Sequence, residues 1–204
     1  MKPTHYDQFD ANRFNHPDRF LPQHPLALGI ARELYQSTCS LPLICPHGHT
    51  QASWFADNKP FQDAASLLIT QDHYIYRMLH SQGFSLDQLG VARADGQVVA
   101  TDRRQIWHTF ASHYHLFRGC PTRYWLDHTF ATLFGMPEPL SADTADQYFD
   151  HINHCLAQPA FLPRALFEQF NIEFLATTED ALDDLTAHQN IQTGSWPGKV
   201  VTTY

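Results

Sequence analysis

Apolar and polar residues along the chain alternate between helical spacing and short continuous apolar runs. Residues 25–38 repeat apolar side chains three and four apart, with Pro25 at a suitable first position, which predicts a helix. Residues 41–46 form a short apolar run that predicts a strand. From about 51 to 170 the spacing is helical almost throughout. The predicted helices there span 63–70, 71–82, 101–117, 122–134, 141–157 and 163–170.

Strand signals return near the end of the chain. Residues 172–178 and 199–204 predict strands, and 179–189 between them predicts a helix. A strand, a helix and a strand at this spacing form a βαβ unit, which implies a parallel sheet. The predicted organisation is an N-terminal arm and helix (1–40), a first strand (41–50), a helical insertion (51–170) and a βαβ continuation (171–204).

The three predicted strands are too few to close a barrel or to cover both faces of a sheet. We therefore expect the sequence to be the front part of something longer. The aromatic residues of the helical block recur at helical spacing and predict its core: Trp107, Phe110, Phe117, Trp125, Phe130 and Phe134.

Composition narrows the classes of function. The 204 residues are 43% hydrophobic and 13% aromatic, which predicts a globular domain with a real core. A net charge of −8 with 13 Lys and Arg, and no basic cluster, argues against a nucleic-acid partner. No run approaches the roughly 18 apolar residues of a membrane span. Four cysteines without a Cys-x-x-Cys pair predict reduced thiols and a cytoplasmic protein.

A His-x-His pair follows the first predicted strand. Side chains two apart in a strand point the same way, so His47 and His49 should project together from its C-terminal end. Two imidazoles on one face are half of a metal site, and the alternative is a pair of hydrogen-bonded loop histidines. A second pair, His113 and His115, lies in a helical stretch, where residues two apart diverge, and is a poor chelate.

A catalytic metal site needs at least a third ligand. Glu179 and Asp180 follow the second predicted strand and could approach the histidine pair. Their alternative role, which the pattern favours, is that of acids at a helix N-terminus.

A second polar group opens a predicted helix at Asp72-His73-Tyr74, with Arg77 one turn later. Residues three and four apart share a helix face, so Arg77 neighbours both His73 and Tyr74. A guanidinium beside a phenol favours the phenolate and can bind a carboxylate. The plainer alternative is a helix packed through Tyr74 and Ile75 with a solvated arginine.

The order of these segments resembles the uronate isomerase (glucuronate isomerase) family of the amidohydrolase superfamily. The matching segments are Pro46-His-Gly-His49, Asp72-His-Tyr-x-x-Arg77, Gly119-Cys-Pro121 with Trp125 and Phe134-Gly135, Leu166-Phe-Glu-Gln-Phe-Asn171, and Leu175-Ala-Thr-Thr178. The resemblance covers nearly all of residues 25–204. It implies an α/β fold that is the N-terminal portion of a metal-dependent (β/α)8 TIM-type barrel, with about three strands and a large helical insertion between the first two.

The resemblance also implies an activity and roles for residues. The family interconverts D-glucuronate with D-fructuronate and D-galacturonate with D-tagaturonate, in bacterial uronate catabolism. His47 and His49 match its first-strand metal ligands, for a divalent metal expected to be zinc. Tyr74 matches a tyrosine of proton transfer, with His73 beside it in the site, and Arg77 is assigned a supporting, substrate-binding role. The expected partner is a small hexuronate, and neither nucleic acid nor a membrane is expected. The resemblance leaves open whether the protein forms a homo-oligomer.

Two departures from the family pattern bear on these expectations. The family continues its third strand into Arg-Pro-Asp and takes a metal-binding Asp from its last strand, and neither segment occurs in this sequence. Its Thr-Thr-Asp-Asp-Pro is Thr177-Thr-Glu-Asp-Ala181 here, which leaves the role of Glu179 open. We therefore expect residues 1–204 alone to be inactive. The alternatives are another metal-dependent hydrolase of the superfamily, acting on a sugar ester or lactone, and a non-catalytic truncated product.

Overall fold

A computed structural model of the protein describes residues 15–203, which divide into two compact units. The sheet unit comprises Pro22–Phe61 and residues 157–203, and the helical unit comprises residues 15–21 and Gln62–Leu156. Residues 1–14 of the predicted arm, and Tyr204 at the end of the last predicted strand, lie outside the described residues.

The main elements follow the predicted order of helices and strands, with one additional helix directly after the histidine pair. They are α1 (Pro25–Thr38), β1 (Leu43–Cys45), α2 (Ala52–Asp57), α3 (His73–Ser81), α4 (Arg103–Ser112), α5 (Pro121–Thr132), α6 (Ala145–Leu156), α7 (Pro163–Gln169), β2 (Ile172–Thr178), α8 (Thr186–Thr193) and β3 (Lys199–Thr203). A π-helical turn spans Ser66–Thr70, and 3-10 turns span Asp87–Leu89, Tyr114–Phe117 and Pro159–Phe161. No helix within residues 15–203 is both long and apolar enough to cross a membrane.

The described strands form one parallel sheet in the order β1-β2-β3, as the βαβ pattern predicted. Its middle strand, β2, buries Leu175, Ala176 and Thr177 in succession, as expected of a parallel strand covered on both faces. The helix α8 connects β2 to β3, which pair in register from Phe174 opposite Lys199. Parallel pairing places the C-terminal ends of the three strands at one edge of the sheet.

The core of the sheet unit draws on helices that lie far apart in the sequence. Phe55 of α2 and Phe167 of α7 are buried with Leu175, Ile191 and Val200. The residue pattern predicted one helical insertion over 51–170, whereas the compact helical unit takes only Gln62–Leu156 of it. Helices α2 and α7 group with the sheet because their aromatic side chains cover its apolar face.

The helical unit has the aromatic core that the sequence predicted, with one exception. Trp107, Phe110, Phe117, Phe130 and Phe134 are all buried. Trp125 is 60% exposed, so its assignment to the core was wrong. On α5 the buried positions are Thr122, Leu126 and Phe130, and Trp125 falls off that stripe.

A charged pair inside the helical unit gives a stability prediction. Arg123 Nε donates to Asp127 Oδ2 at 2.8 Å, both side chains are largely buried, and the Tyr114 hydroxyl donates to Asp127 Oδ1 at 2.9 Å. We expect Arg123→Met to lower the free energy of unfolding by about 3 kcal/mol, because it leaves a buried carboxylate without its cation. Urea unfolding followed by circular dichroism measures this.

The matched control is Arg93→Met, which removes an arginine from an exposed pair with Asp87 and Asp95. We expect no measurable change there, because solvent screens surface ion pairs. If the two substitutions lowered the free energy of unfolding equally, burial of the Arg123–Asp127 pair would not determine how much the pair contributes to stability.

Candidate active site

Short contacts join the loop after β1 to the C-terminal end of β2. The Thr178 hydroxyl donates to the Gly48 carbonyl at 3.0 Å. A Cβ atom at Gly48 would lie 3.1 Å from the backbone oxygen of Ala176, which is closer than most side chains tolerate. Glycine between the two histidines therefore allows the loop to approach the neighbouring strand. This close approach fixes the positions of His47 and His49.

The rings of His47 and His49 meet on this loop. Their Nε2 atoms are 3.1 Å apart, and the ring planes are inclined by 79°. Two nitrogen ligands of a tetrahedral zinc ion, each about 2.0–2.1 Å from the metal, lie about 3.3 Å apart. The two nitrogens are thus spaced almost as joint ligands of one ion would be, and both side chains are exposed. Without an ion the same distance is that of a hydrogen bond between two loop histidines, which is the alternative that the sequence offered.

A third ligand does not accompany them among residues 15–203, where no three His, Cys, Asp or Glu side chains converge as a metal site would need. Glu179 and Asp180 were expected to be acids of a helix N-terminus, and this was wrong because α8 begins only at Thr186. The Asp180 amide donates to Asp183 Oδ2 at 2.8 Å, and the Thr186 amide donates to Asp184 Oδ1 at 2.6 Å. These side-chain bonds hold the segment as a turn and delay the helix.

Glu179 instead contacts a histidine of that helix. Glu179 Oε1 lies 3.5 Å from Nε2 of His188, and the same nitrogen lies 2.9 Å from the hydroxyl oxygen of Thr177. The Thr177 hydroxyl donates its only hydrogen to the Val201 carbonyl, at 3.1 Å. Nε2 of His188 must therefore carry the hydrogen of its bond with the Thr177 hydroxyl oxygen.

A cavity of about 500 Å³ opens at this edge of the sheet. Its lining includes His49 and Thr50 from the loop after β1, Glu179 from the end of β2, and His188 from α8. Asp183 and Asp184 add two further carboxylates, and no Lys or Arg belongs to the described lining. The Thr186 hydroxyl and amide hold the pKa of Asp184 below its ordinary value, so the lining is anionic near neutral pH.

The other predicted site residues belong to the helical unit. A helix opens at this segment as predicted, and Asp72 caps it, its Oδ1 accepting from the Tyr74 amide at 2.8 Å. The rings of His73 and Tyr74 have centroids 4.1 Å apart, and Tyr74 is 54% exposed. The plainer alternative holds in part, because Ile75 is buried and Arg77 is exposed, whereas Tyr74 does not pack into the core.

The structure thus forms two local groups from the predicted residues. His47 and His49 meet in the sheet unit, and His73, Tyr74 and Arg77 share the first turns of α3 in the helical unit. Sequence reasoning missed the pairing of Glu179 with His188. Two acidic residues followed by Thr186 signalled a late helix start, and a later start would have moved Glu179 off the helix.

Comparison with known proteins places the chain in a family. A family model described as glucuronate isomerase matches residues 18–204. The uronate isomerase of Xanthomonas euvesicatoria pv. vesicatoria is 54% identical over 189 residues, and that of Mesorhizobium japonicum is 55% identical over 188. These matches cover 93% and 92% of this chain, and the chain spans 40% of the length of each relative.

Solved structures agree with these matches. The crystal structure of glucuronate isomerase from Caulobacter crescentus superposes with a TM-score of 0.88 at 52% identity, covering 93% of this chain and 39% of that one. The uronate isomerase of Thermotoga maritima, at 22% identity, shares the fold with a TM-score of 0.77 over 91% of this chain and 38% of that one. The predicted fold class, part of a barrel with a helical insertion, is confirmed. The chain belongs to the glucuronate isomerase family.

Proposed function

We propose that this chain carries part of the active site of a uronate isomerase. The observation that supports this most directly is the pair of Nε2 atoms, 3.1 Å apart, at the end of the first strand in a chain of this family. The proposed reaction converts D-glucuronate to D-fructuronate, and D-galacturonate to D-tagaturonate.

The reaction moves a carbonyl group from C1 to C2 of the open-chain sugar. A base removes the proton from C2, the C1 oxygen gains a proton, and an enediol forms. The hydroxyl at C2 then loses its proton while C1 receives one, which leaves a ketone at C2. No atoms are gained or lost, so the protein must only position acids and bases near the two carbons and stabilise negative charge on the two oxygens.

His47 and His49 would hold a divalent metal, for which zinc is the proposed identity because imidazole suits zinc and two such nitrogens fit its ligand spacing. When bound, the metal supplies Lewis acidity toward substrate oxygens. Two imidazoles leave further coordination positions for other ligands.

Tyr74 is the proposed proton carrier. Its phenol is exposed at the start of α3, where a hydroxyl can both give and accept a proton, and the ring of half-buried His73 lies against it. The Asp72 cap fixes the backbone at Tyr74 and so limits the positions that the phenol can take.

Arg77 is the proposed partner of the uronate carboxylate. It lies exposed one turn after His73 and makes no ion pair with another residue between 15 and 203, so its guanidinium can take a ligand. A guanidinium binds a carboxylate through two parallel hydrogen bonds, which orients the sugar chain as well as holding it.

A chimaera tests the proposed function. Residues 18–204 would replace the matching segment of the Caulobacter crescentus glucuronate isomerase, which the 52% identity makes feasible. We expect the chimaera to convert D-glucuronate to D-fructuronate, to lose that activity on treatment with a chelator, and to regain it when Zn²⁺ is added. Proton NMR of the sugar follows the conversion.

The polypeptide 1–204 serves as a control and should show no turnover. A folded chimaera that binds Zn²⁺ but hydrolyses a sugar lactone instead of isomerising the uronate would favour the hydrolase alternative. A folded chimaera with neither activity would contradict the proposal.

A further inference from the structure

Unpartnered polar atoms concentrate around the cavity at the end of the sheet. Within residues 15–203, five buried side-chain nitrogen or oxygen atoms have no hydrogen-bond partner. Three of the five belong to residues that line this one cavity: Thr50 Oγ1, Glu179 Oε2 and His188 Nδ1. Buried polar atoms are almost always satisfied in proteins, so three beside one cavity point to contents that satisfy them.

The chemistry of these atoms restricts what the contents can be. Nε2 of His188 carries a hydrogen, so Nδ1 of the uncharged ring is an acceptor. Glu179 Oε2 is an acceptor when ionised, and Thr50 Oγ1 can both donate and accept. The matching ligand must therefore offer several hydrogen-bond donors at neighbouring positions, as consecutive hydroxyl groups of a sugar do.

An anionic group and a bare cation both fit poorly. Glu179, Asp183 and Asp184 would repel a carboxylate, and the described lining holds no Lys or Arg to offset them. Apart from the ion proposed at His47 and His49, a divalent cation at these carboxylates would need several convergent ligands, and no three such side chains converge within the described part of the chain.

Buried hydrogen bonds fix the position of the His188 ring beside the cavity. His188 is only 5% exposed, and its ring is fixed through Thr177, which is fully buried in β2 and bonded to β3. Nε2 of the ring lies 3.5 Å from Glu179 Oε1, and Glu179 Oε2 is buried without a hydrogen-bond partner.

We propose that this cavity binds the hydroxyl-bearing part of a sugar chain, with Glu179 Oε2 and His188 Nδ1 as acceptors and Thr50 as the third contact. The identity of the sugar as a hexuronate rests on the proposed function. In that setting the cavity holds the polyol end of the hexuronate, and the carboxylate is bound elsewhere. Thr177 acts as a positioning residue, because its hydroxyl fixes the ring of His188.

Direct binding to the 204-residue chain tests the proposal without turnover. D-Glucitol, a hexitol with no carboxylate, is titrated into ¹⁵N-labelled protein, and the imidazole nitrogens of His188 are followed by NMR. We expect D-glucitol to shift the Nδ1 resonance upfield as the nitrogen accepts a hydrogen bond. Glu179→Gln should weaken D-glucitol binding about tenfold, because the acceptor loses its charge and a neutral hydrogen bond is weaker.

Two further variants serve as a control and as a second test of the cavity. Glu173→Gln makes the same chemical change on an exposed position of the same strand and should leave binding unchanged. Thr50→Val keeps the side-chain shape, removes an oxygen that has no partner in residues 15–203, and should weaken binding several-fold even if Glu179→Gln fails to fold.

Three outcomes would overturn the proposal: no shift at His188 with D-glucitol, equal binding by wild type and both cavity variants, or a response to D-glucuronate that D-glucitol does not produce. A Ca²⁺ titration that shifts His188 and is abolished by Glu179→Gln would show a cation site instead. The chimaera distinguishes the proposed cavity from the proposed reaction. A chimaera that isomerises the uronate but does not bind the hexitol would contradict only the cavity proposal. One that binds the hexitol but does not isomerise the uronate would contradict only the proposed reaction.

Discussion

Replacing His49 by alanine should lower the affinity for Zn²⁺ by more than about 100-fold. Loss of a residue that merely orients a ligand costs about 10- to 100-fold in metal affinity, and His49 is proposed as a ligand itself. Its Nε2 lies 3.1 Å from that of His47, so one substitution reduces the pair to a single imidazole. The measurement is a competitive zinc titration of the chimaera, with the isomerisation rate followed in parallel.

The sequence supplies a matched control for this experiment. His115 belongs to the second His-x-His pair, is exposed on a 3-10 turn, and has its ring 6.2 Å from that of His113. His115→Ala should change neither zinc affinity nor rate. If His49→Ala bound zinc as tightly as the wild type, the proposed metal centre would be elsewhere.

Tyr74→Phe should lower kcat of the chimaera by about 100- to 10,000-fold, the usual contribution of a positioned acid or base. The substitution removes only the hydroxyl, so the helix cap at Asp72 and the ring contact with His73 remain. KM and zinc affinity should change little, because the phenol is proposed to act on protons and not on binding.

Tyr76→Phe is the control, since it removes a hydroxyl two residues along the same helix. We expect it to retain the wild-type rate. A Tyr74→Phe enzyme with normal kcat and raised KM would show that the phenol binds substrate and does not carry the proton.

Local sequence signals predicted the elements well where short-range chemistry sets them. Pro25 begins α1, Asp72 caps α3, and the βαβ spacing gives parallel strands. The helix 52–57 directly after the histidine pair was missed, because six residues carry too little periodicity to stand out. The start of α8 was misplaced by seven residues because Asp side chains bind the backbone of the turn.

The candidate site shows the same division. The spacing of His47 and His49 predicted that the two rings would meet, whereas the close approach of Gly48 to the Ala176 carbonyl is seen only in the structure. The pairing of Glu179 with His188 could not be read from spacing, because it depends on where a turn ends and which way the next helix faces. Trp125 similarly has the residue type of a core position and lies on the solvent side of α5.

The sequence by itself determined the order of strands and helices, the caps, and the two short motifs that carry the proposed chemistry, because each depends on residues within a few positions of one another. The tertiary structure decided the burial of Thr177 and His188, the enclosure of the unpartnered oxygen of Glu179, and the grouping of α2 and α7 with the sheet. These features arise from contacts between residues that are distant in the chain, and such contacts form only when apolar faces are buried together.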